Sequence, residues 1–253
     1  MRAEYFFGAE GRSLAPFFSR TMLGLTFNGV FILSLVLLLF WPFRELSAYV
    51  AGQETPLAFL SVFTAAALIN GYVGLLCGAN EAHPKDYFSR MDRKGAVIFE
   101  EERGFLAYGL AGFVLHTLFL LGLQLPLLLA AAALTGVSWT DLIRALSILV
   151  ITALLCRLAG FLSYLTFGAW SRFGYVTTRS FLLVYILATG LLLPAANPVL
   201  ELYAIYEGRP MTFIPPLGGF AGFLLVTLAA MLALILAVQI RIRRRTAGRK
   251  GGG

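Results

Sequence analysis

Charge is what this sequence has least of. Asp, Glu, Lys and Arg make up 13% of its 253 residues and hydrophobic residues make up 59%, against roughly a quarter and a half in a soluble domain. With a mean hydropathy of +0.82, that deficit excludes an ordinary water-soluble globule. Cysteine and histidine are scarce too, at two residues each. Cys77 and Cys156 both fall in apolar runs, where a thiol behaves as a small hydrophobe, so no disulfide is expected. His83 and His116 have no cluster of Cys, His or acids at ligand spacing, which argues against a metal centre. His83 reads as a solvated loop residue and His116 as a packed or hydrogen-bonded helix residue. No GxxxxGK[ST] sequence occurs, so hydrolysis of ATP by the usual phosphate-cradling loop is excluded for this chain. The first twenty residues mix charges with Phe pairs and lack the apolar core and cleavage site of a signal peptide, so the N-terminus is expected to be retained.

What is present is long apolar runs. Thr21 to Trp41 carries no charge, and about 20 such residues suffice for a helix to cross about 30 Å of hydrocarbon. A window of that length finds six candidate spans: Thr21 to Trp41, Pro56 to Gly78, Phe113 to Thr135, Ala145 to Phe167, Phe181 to Ala195, and Gly218 to Ile240. The expected fold is an all-α integral membrane protein forming a single domain over residues 1–253. The fifth span is short, and prolines at 194, 198 and 210 follow it, so a bent or re-entrant segment is expected to complete that crossing. Residues 1–20 read as an amphipathic interfacial helix, with Phe6, Phe7, Leu14, Phe17 and Phe18 available to dip into lipid. The apolar run from Gly104 to Thr135 is longer than one crossing. Its first part, to Gly112, is therefore assigned to the cytoplasmic interface.

Sixteen of the 20 Lys and Arg residues fall on one side of these spans, three (Arg44, Arg144, Arg209) on the other, and Arg157 inside one. The asymmetry puts both termini in the cytoplasm. Trp41 and Trp139 then mark outer span ends and Trp170 an inner one, at the headgroup level that suits amphipathic rings. The net charge of +7 is concentrated in the basic tail 241–253. It serves topology, with anionic lipid as a second use, and requires no nucleic acid.

Within the spans, Arg157 is the most expensive residue, at about 2.5 to 3.5 kcal/mol on translocon scales. No Asp or Glu lies inside any of the six spans, so the guanidinium is expected to use Gln124, at similar depth on the preceding span, together with backbone oxygens. The competing reading is that it lines a hydrated path. Asn28 and Asn70 are read as hydrogen-bonding glue between helices. Gly74 and Gly78 form a GxxxG, with Gly71 one turn earlier, suited to close packing within the chain or in a dimer.

The only long charged segment between apolar runs is Ala79 to Gly104, part of the cytoplasmic loop 79–112. It closes on VIFEEERG, where Glu100, Glu101, Glu102, Arg103 and Gly104 stand at the head of an apolar helix. Acids there match the positive end of a helix dipole. The segment also resembles the acidic-Arg-Gly signature that opens the coupling helix in permeases of the ABC-2 type. GVSWTDLIRALSILVITALLCRLAGFLSYLTFG resembles the span 4 region of that family. ANPVLELYAIYEG, with a last span and an Arg-rich tail after it, is similar to its Asn-Pro segment.

The resemblance implies a six-span permease subunit in the cell's inner (plasma) membrane, most readily of an exporter. It implies a partner permease, identical or homologous, and cytoplasmic ABC ATPase subunits that carry the ATP and Mg. No cofactor is then expected in this chain, and Glu100 to Gly104 would receive the ATPase. A hydrolytic reading competes, because adjacent glutamates with a membrane histidine resemble intramembrane glutamic proteases. Here, however, Arg103 follows the acids directly, and His116 has no second histidine in a later span. Ser163, in GFLS, likewise lacks the downstream histidine of a rhomboid-like site. A non-catalytic membrane scaffold is the third class.

Overall fold

The computed structural model describes residues 57–81, 110–167, 172–207 and 219–250, and within these the chain is almost entirely helical. The helices are α1 (Leu57–Glu81), α2 (Leu110–Thr135), α3 (Trp139–Phe167), α4 (Arg172–Leu192), α5 (Pro198–Glu207) and α6 (Gly219–Lys250), with a 3-10 turn at Pro194–Ala196 before α5. Stretches of α1, α2, α3 and α6, at 21, 26, 29 and 26 residues, are long and apolar enough to cross a bilayer. The chain is therefore a multi-pass, all-α membrane protein. The predicted span Thr21 to Trp41, the interfacial helix 1–20 and the signature Glu100 to Gly104 lie outside the described residues.

Helix α3 is the centre of the bundle, and α1 packs along it most extensively. The two run parallel, since Gly74 abuts Ala153 and Gly78 abuts Arg157, four residues on in both chains. Antiparallel α2 closes the other side of this pair through Phe113 to Phe161 at one level and Asn70 to Gln124 at another. At the Leu57 end, Phe59, Phe63, Leu142, Leu149 and Leu202 are fully or almost fully buried in one cluster. Phe113, Leu158, Phe161, Val238 and Ile242 form a second at the opposite end. Outward-facing Leu, Val and Ile side chains on α2, α4 and α6 complete the pattern expected when lipid, not water, is the solvent.

The turn from α2 to α3 takes three residues. Gly136 adopts φ +65, the left-handed conformation that ends a helix without a Cβ penalty, and the Val137 N–H returns to the Ala132 carbonyl. Ser138 then caps α3: its Oγ accepts from the Asp141 N–H at 3.2 Å and donates to the Asp141 carboxylate at 2.7 Å. Consequently α3 begins at Trp139, six residues before the predicted start at Ala145.

The fifth predicted span is reshaped. Helix α4 starts at Arg172, but only Ser180–Leu192 is apolar, too short for a full crossing by itself. Beyond Leu192 the chain folds back along α4, so that Ala196 and Asn197 lie beside Tyr185 and Ile186. The chain is thus bent after the apolar run, where Pro194 and Pro198 stand, and backbone groups freed there find partners within the protein. Tyr185 donates to the Ala196 carbonyl at 2.7 Å, and Asn197 Nδ2 donates to the Ile186 carbonyl at 2.8 Å. Asn197 Oδ1 accepts from the Val199 and Leu200 N–H groups, capping α5.

Candidate functional site: a buried polar track between three helices

Close contact between α1 and α3 is a consequence of glycine. A Cβ on Gly74 would stand 2.6 Å from the Ala153 carbonyl oxygen, closer than real contacts allow. On Gly78 it would collide with the Arg157 carbonyl, and on Gly160, from the α3 side, with that of Leu75. The GxxxG of α1 therefore packs inside the chain, and α3 contributes a glycine of its own. Gly160 carries no signature in the sequence, because it meets the Leu75 backbone of another helix at a register fixed only by folding.

Against this seam, α2 delivers two polar groups. Gln124 and Asn70 exchange a pair of hydrogen bonds, Asn70 Nδ2 donating to Gln124 Oε1 at 2.8 Å and Gln124 Nε2 donating to Asn70 Oδ1 at 2.9 Å. Both amides are buried, so each satisfies the other's principal donor and acceptor. Asn70 is thus interhelical glue, as its position suggests.

Arg157 does not use Gln124. Its Nη1 stands 2.7 Å from His116 Nδ1, and its guanidinium carbon lies 4.8 Å from the centre of the Phe113 ring. Arginine has no acceptor, so this contact requires a neutral imidazole that accepts at Nδ1 and carries its proton on Nε2. The Phe113 face supplies a cation–π contact, and Phe161 meets Phe113 edge-on at 5.7 Å. Arg157 is 1% exposed and heads the largest fully buried side chains.

The correction has two physical causes. With α3 beginning at Trp139, Arg157 lies well beyond its middle, 10 residues from Phe167. Gln124 is eight residues along α2 from His116, about 12 Å of helix, and stands at another level. Sequence could place His116 in a packed helix but could not set its rotation toward α3.

Thr152 of α3 is buried as well, at 1% exposure, and its hydroxyl makes no hydrogen bond among the described residues. Asn70, Gln124, His116 and Arg157 thus form a buried polar track where α1, α2 and α3 meet. Such groups are expensive in a membrane and concentrate where helices must be held in register or where polar species pass. A carboxylate outside the six predicted spans is also buried: Glu201 of α5 is 3% exposed. It belongs to the other end of the bundle, with Leu202 and the Phe59 cluster.

Of the remaining predicted site residues, Asn28 and Glu100 to Gly104 fall outside the described residues. The segment that bears the latter joins the end of α1 at Glu81 to the start of α2 at Leu110. The basic tail begins as helix: α6 continues without a break from its apolar part to Lys250. No group of three or more Cys, His, Asp or Glu side chains could hold a metal among the described residues.

No protein-family model, curated protein or solved structure matches this chain.

Proposed function

We propose that the chain is the membrane-spanning permease subunit of an ATP-driven transporter of the ABC-2 type, most simply an exporter. It would cross the inner membrane six times with both termini in the cytoplasm. The observation that carries the reading is VIFEEERG in the connection between α1 and α2. It resembles the coupling signature of that class and stands in a chain with no phosphate-binding loop of its own. A partner ATPase would therefore supply ATP and Mg, and a second permease subunit, identical or homologous, would complete the path.

Mechanically, a force on this connection reaches two helices at once. α1 is clasped to α3 along glycines and α2 is tied to α1 by the Asn70–Gln124 pair, so a push would move the three as a packed unit or shear them along the polar track. This supports a transport role for the loop that carries Glu100, Glu101, Glu102 and Arg103.

The test is copurification of the full chain with an ATP-binding polypeptide, followed by crosslinking from a Glu101→Cys variant to that polypeptide. ATP-dependent transport abolished in this complex by Glu101→Lys is the expected result. Two results would overturn it: labelling of residues near 100 from the outside, or full transport by a preparation that contains no other polypeptide.

A further inference from the structure

We propose that Arg243 and Arg244, just beyond the apolar part of α6, form a docking surface for the headgroups of acidic phospholipids. The inference stands independently of the permease reading.

It begins with the rotation of α6. Leu225, Leu228, Leu232, Leu236 and Ile240 are all exposed and recur at intervals of three or four, so they lie along one side of the helix. On the opposite side Phe223, Val238 and Ile242 are buried against the bundle. At 100° per residue, Arg243 projects within the arc of the leucine stripe and Arg244 at its flank. Both are exposed. Ile242 anchors this rotation, because it is buried in the cluster of Phe113, Phe161, Leu165 and Val238. The arginines therefore continue the face that meets acyl chains, while Arg241, on the far side, does not.

Depth agrees with direction. From Gly219 to Ile240 the helix carries no charge, and at 1.5 Å per residue it covers about 33 Å, the hydrocarbon thickness. Arg243 and Arg244 emerge one turn beyond, where phosphates lie. The helix remains unbroken there, so the guanidiniums are presented on a rigid support and can take phosphate oxygens bidentately. An acyl chain on the stripe and a phosphate at its end belong to one molecule, which selects lipid over a soluble anion. An acidic headgroup lacks the choline cation that offsets the phosphate charge in phosphatidylcholine, so two adjacent arginines favour it.

The full chain is reconstituted with Trp41, Trp139 and Trp170 replaced by Phe and with Ile240→Trp as reporter on the stripe. Quenching by brominated phosphatidylglycerol is compared with quenching by brominated phosphatidylcholine in mixed vesicles. The expected result is a preference for phosphatidylglycerol that falls about fivefold for each arginine removed, is lost in Arg243→Gln/Arg244→Gln, survives in Arg243→Lys/Arg244→Lys, and weakens in 1 M salt. Strong quenching of every variant by brominated phosphatidylcholine alone shows that each is folded and inserted. Equal quenching by the two lipids in the reporter chain overturns the proposal, and so does a preference unchanged by the double Gln variant. If a preference appears only when Glu100, Glu101 and Glu102 are changed to Gln, the arginines serve the acidic loop instead, and the proposal falls.

Discussion

Gly78 of α1 rests on the backbone carbonyl of Arg157 in α3, so the tightest approach of two helices falls at the residue whose side chain holds the buried charge. The glycine admits α1 to one side of Arg157, and the guanidinium is turned toward α2, where His116 and Phe113 receive it. Packing and electrostatics at this level are therefore one arrangement.

Substitution of Gly78 or Gly160 by Ala should destabilise the bundle, because the new methyl meets backbone and not a movable side-chain end. Overpacking of this kind is worth about 1 to 3 kcal/mol. Gly122, where an added methyl would have nothing within 4 Å, is the control. Its change to Ala should leave stability unchanged or raise it by up to about 1 kcal/mol. Thermal unfolding of the purified variants in one detergent makes the comparison, and equal behaviour of Gly78→Ala and Gly122→Ala would contradict the seam.

His116→Leu should lower stability by about 1 to 3 kcal/mol, since it takes away an acceptor from a buried guanidinium. The double variant His116→Leu/Arg157→Leu should recover most of that loss, because the guanidinium that lost an acceptor is removed as well. A double variant less stable than His116→Leu would show that Arg157 is held chiefly by other groups. In a transport assay Arg157→Leu is expected to impair activity more than assembly, and normal transport by a well-expressed variant would remove any role in a polar path.

The Asn70–Gln124 pair predicts a measurable coupling. Asn70→Leu and Gln124→Leu should each destabilise, and the double variant should be less damaged than their sum by about 0.6 to 1.7 kcal/mol, the range for interhelical bonds in membranes. Strict additivity in a denaturation cycle would mean that the two amides do not depend on each other.

Asn197→Ala removes the cap of α5 and a donor to the Ile186 carbonyl, and Asn197→Asp retains only the capping oxygen. The Ala variant should lose about 1 to 2 kcal/mol, with the Asp variant between it and the parent. Hydrogen exchange at the Val199 and Leu200 amides is the local readout, and protection unchanged in Asn197→Ala would exclude the cap.

The resemblance that suggests a permease lies in short stretches such as VIFEEERG, and these are legible because a charged segment between two apolar runs has nowhere to hide. The track was only half legible. Asn70 could be read as glue, since an amide in a span has few other uses. The partner of Arg157 could not, because it depends on where α3 starts and how α2 is turned.

By itself the sequence determined that this protein lives in a membrane and, to within a few residues, where four of its apolar helices run, because hydrocarbon thickness sets a length that composition must meet. It also announced the break after the fifth apolar run, since proline removes the N–H that a helix needs. Tertiary structure alone decided that Arg157 meets His116 and not Gln124, that Gly160 rests on the Leu75 backbone, and that Asn197 closes the turn before α5. Those choices rest on the register and rotation of helices packed side by side, and a one-dimensional pattern of hydropathy carries neither.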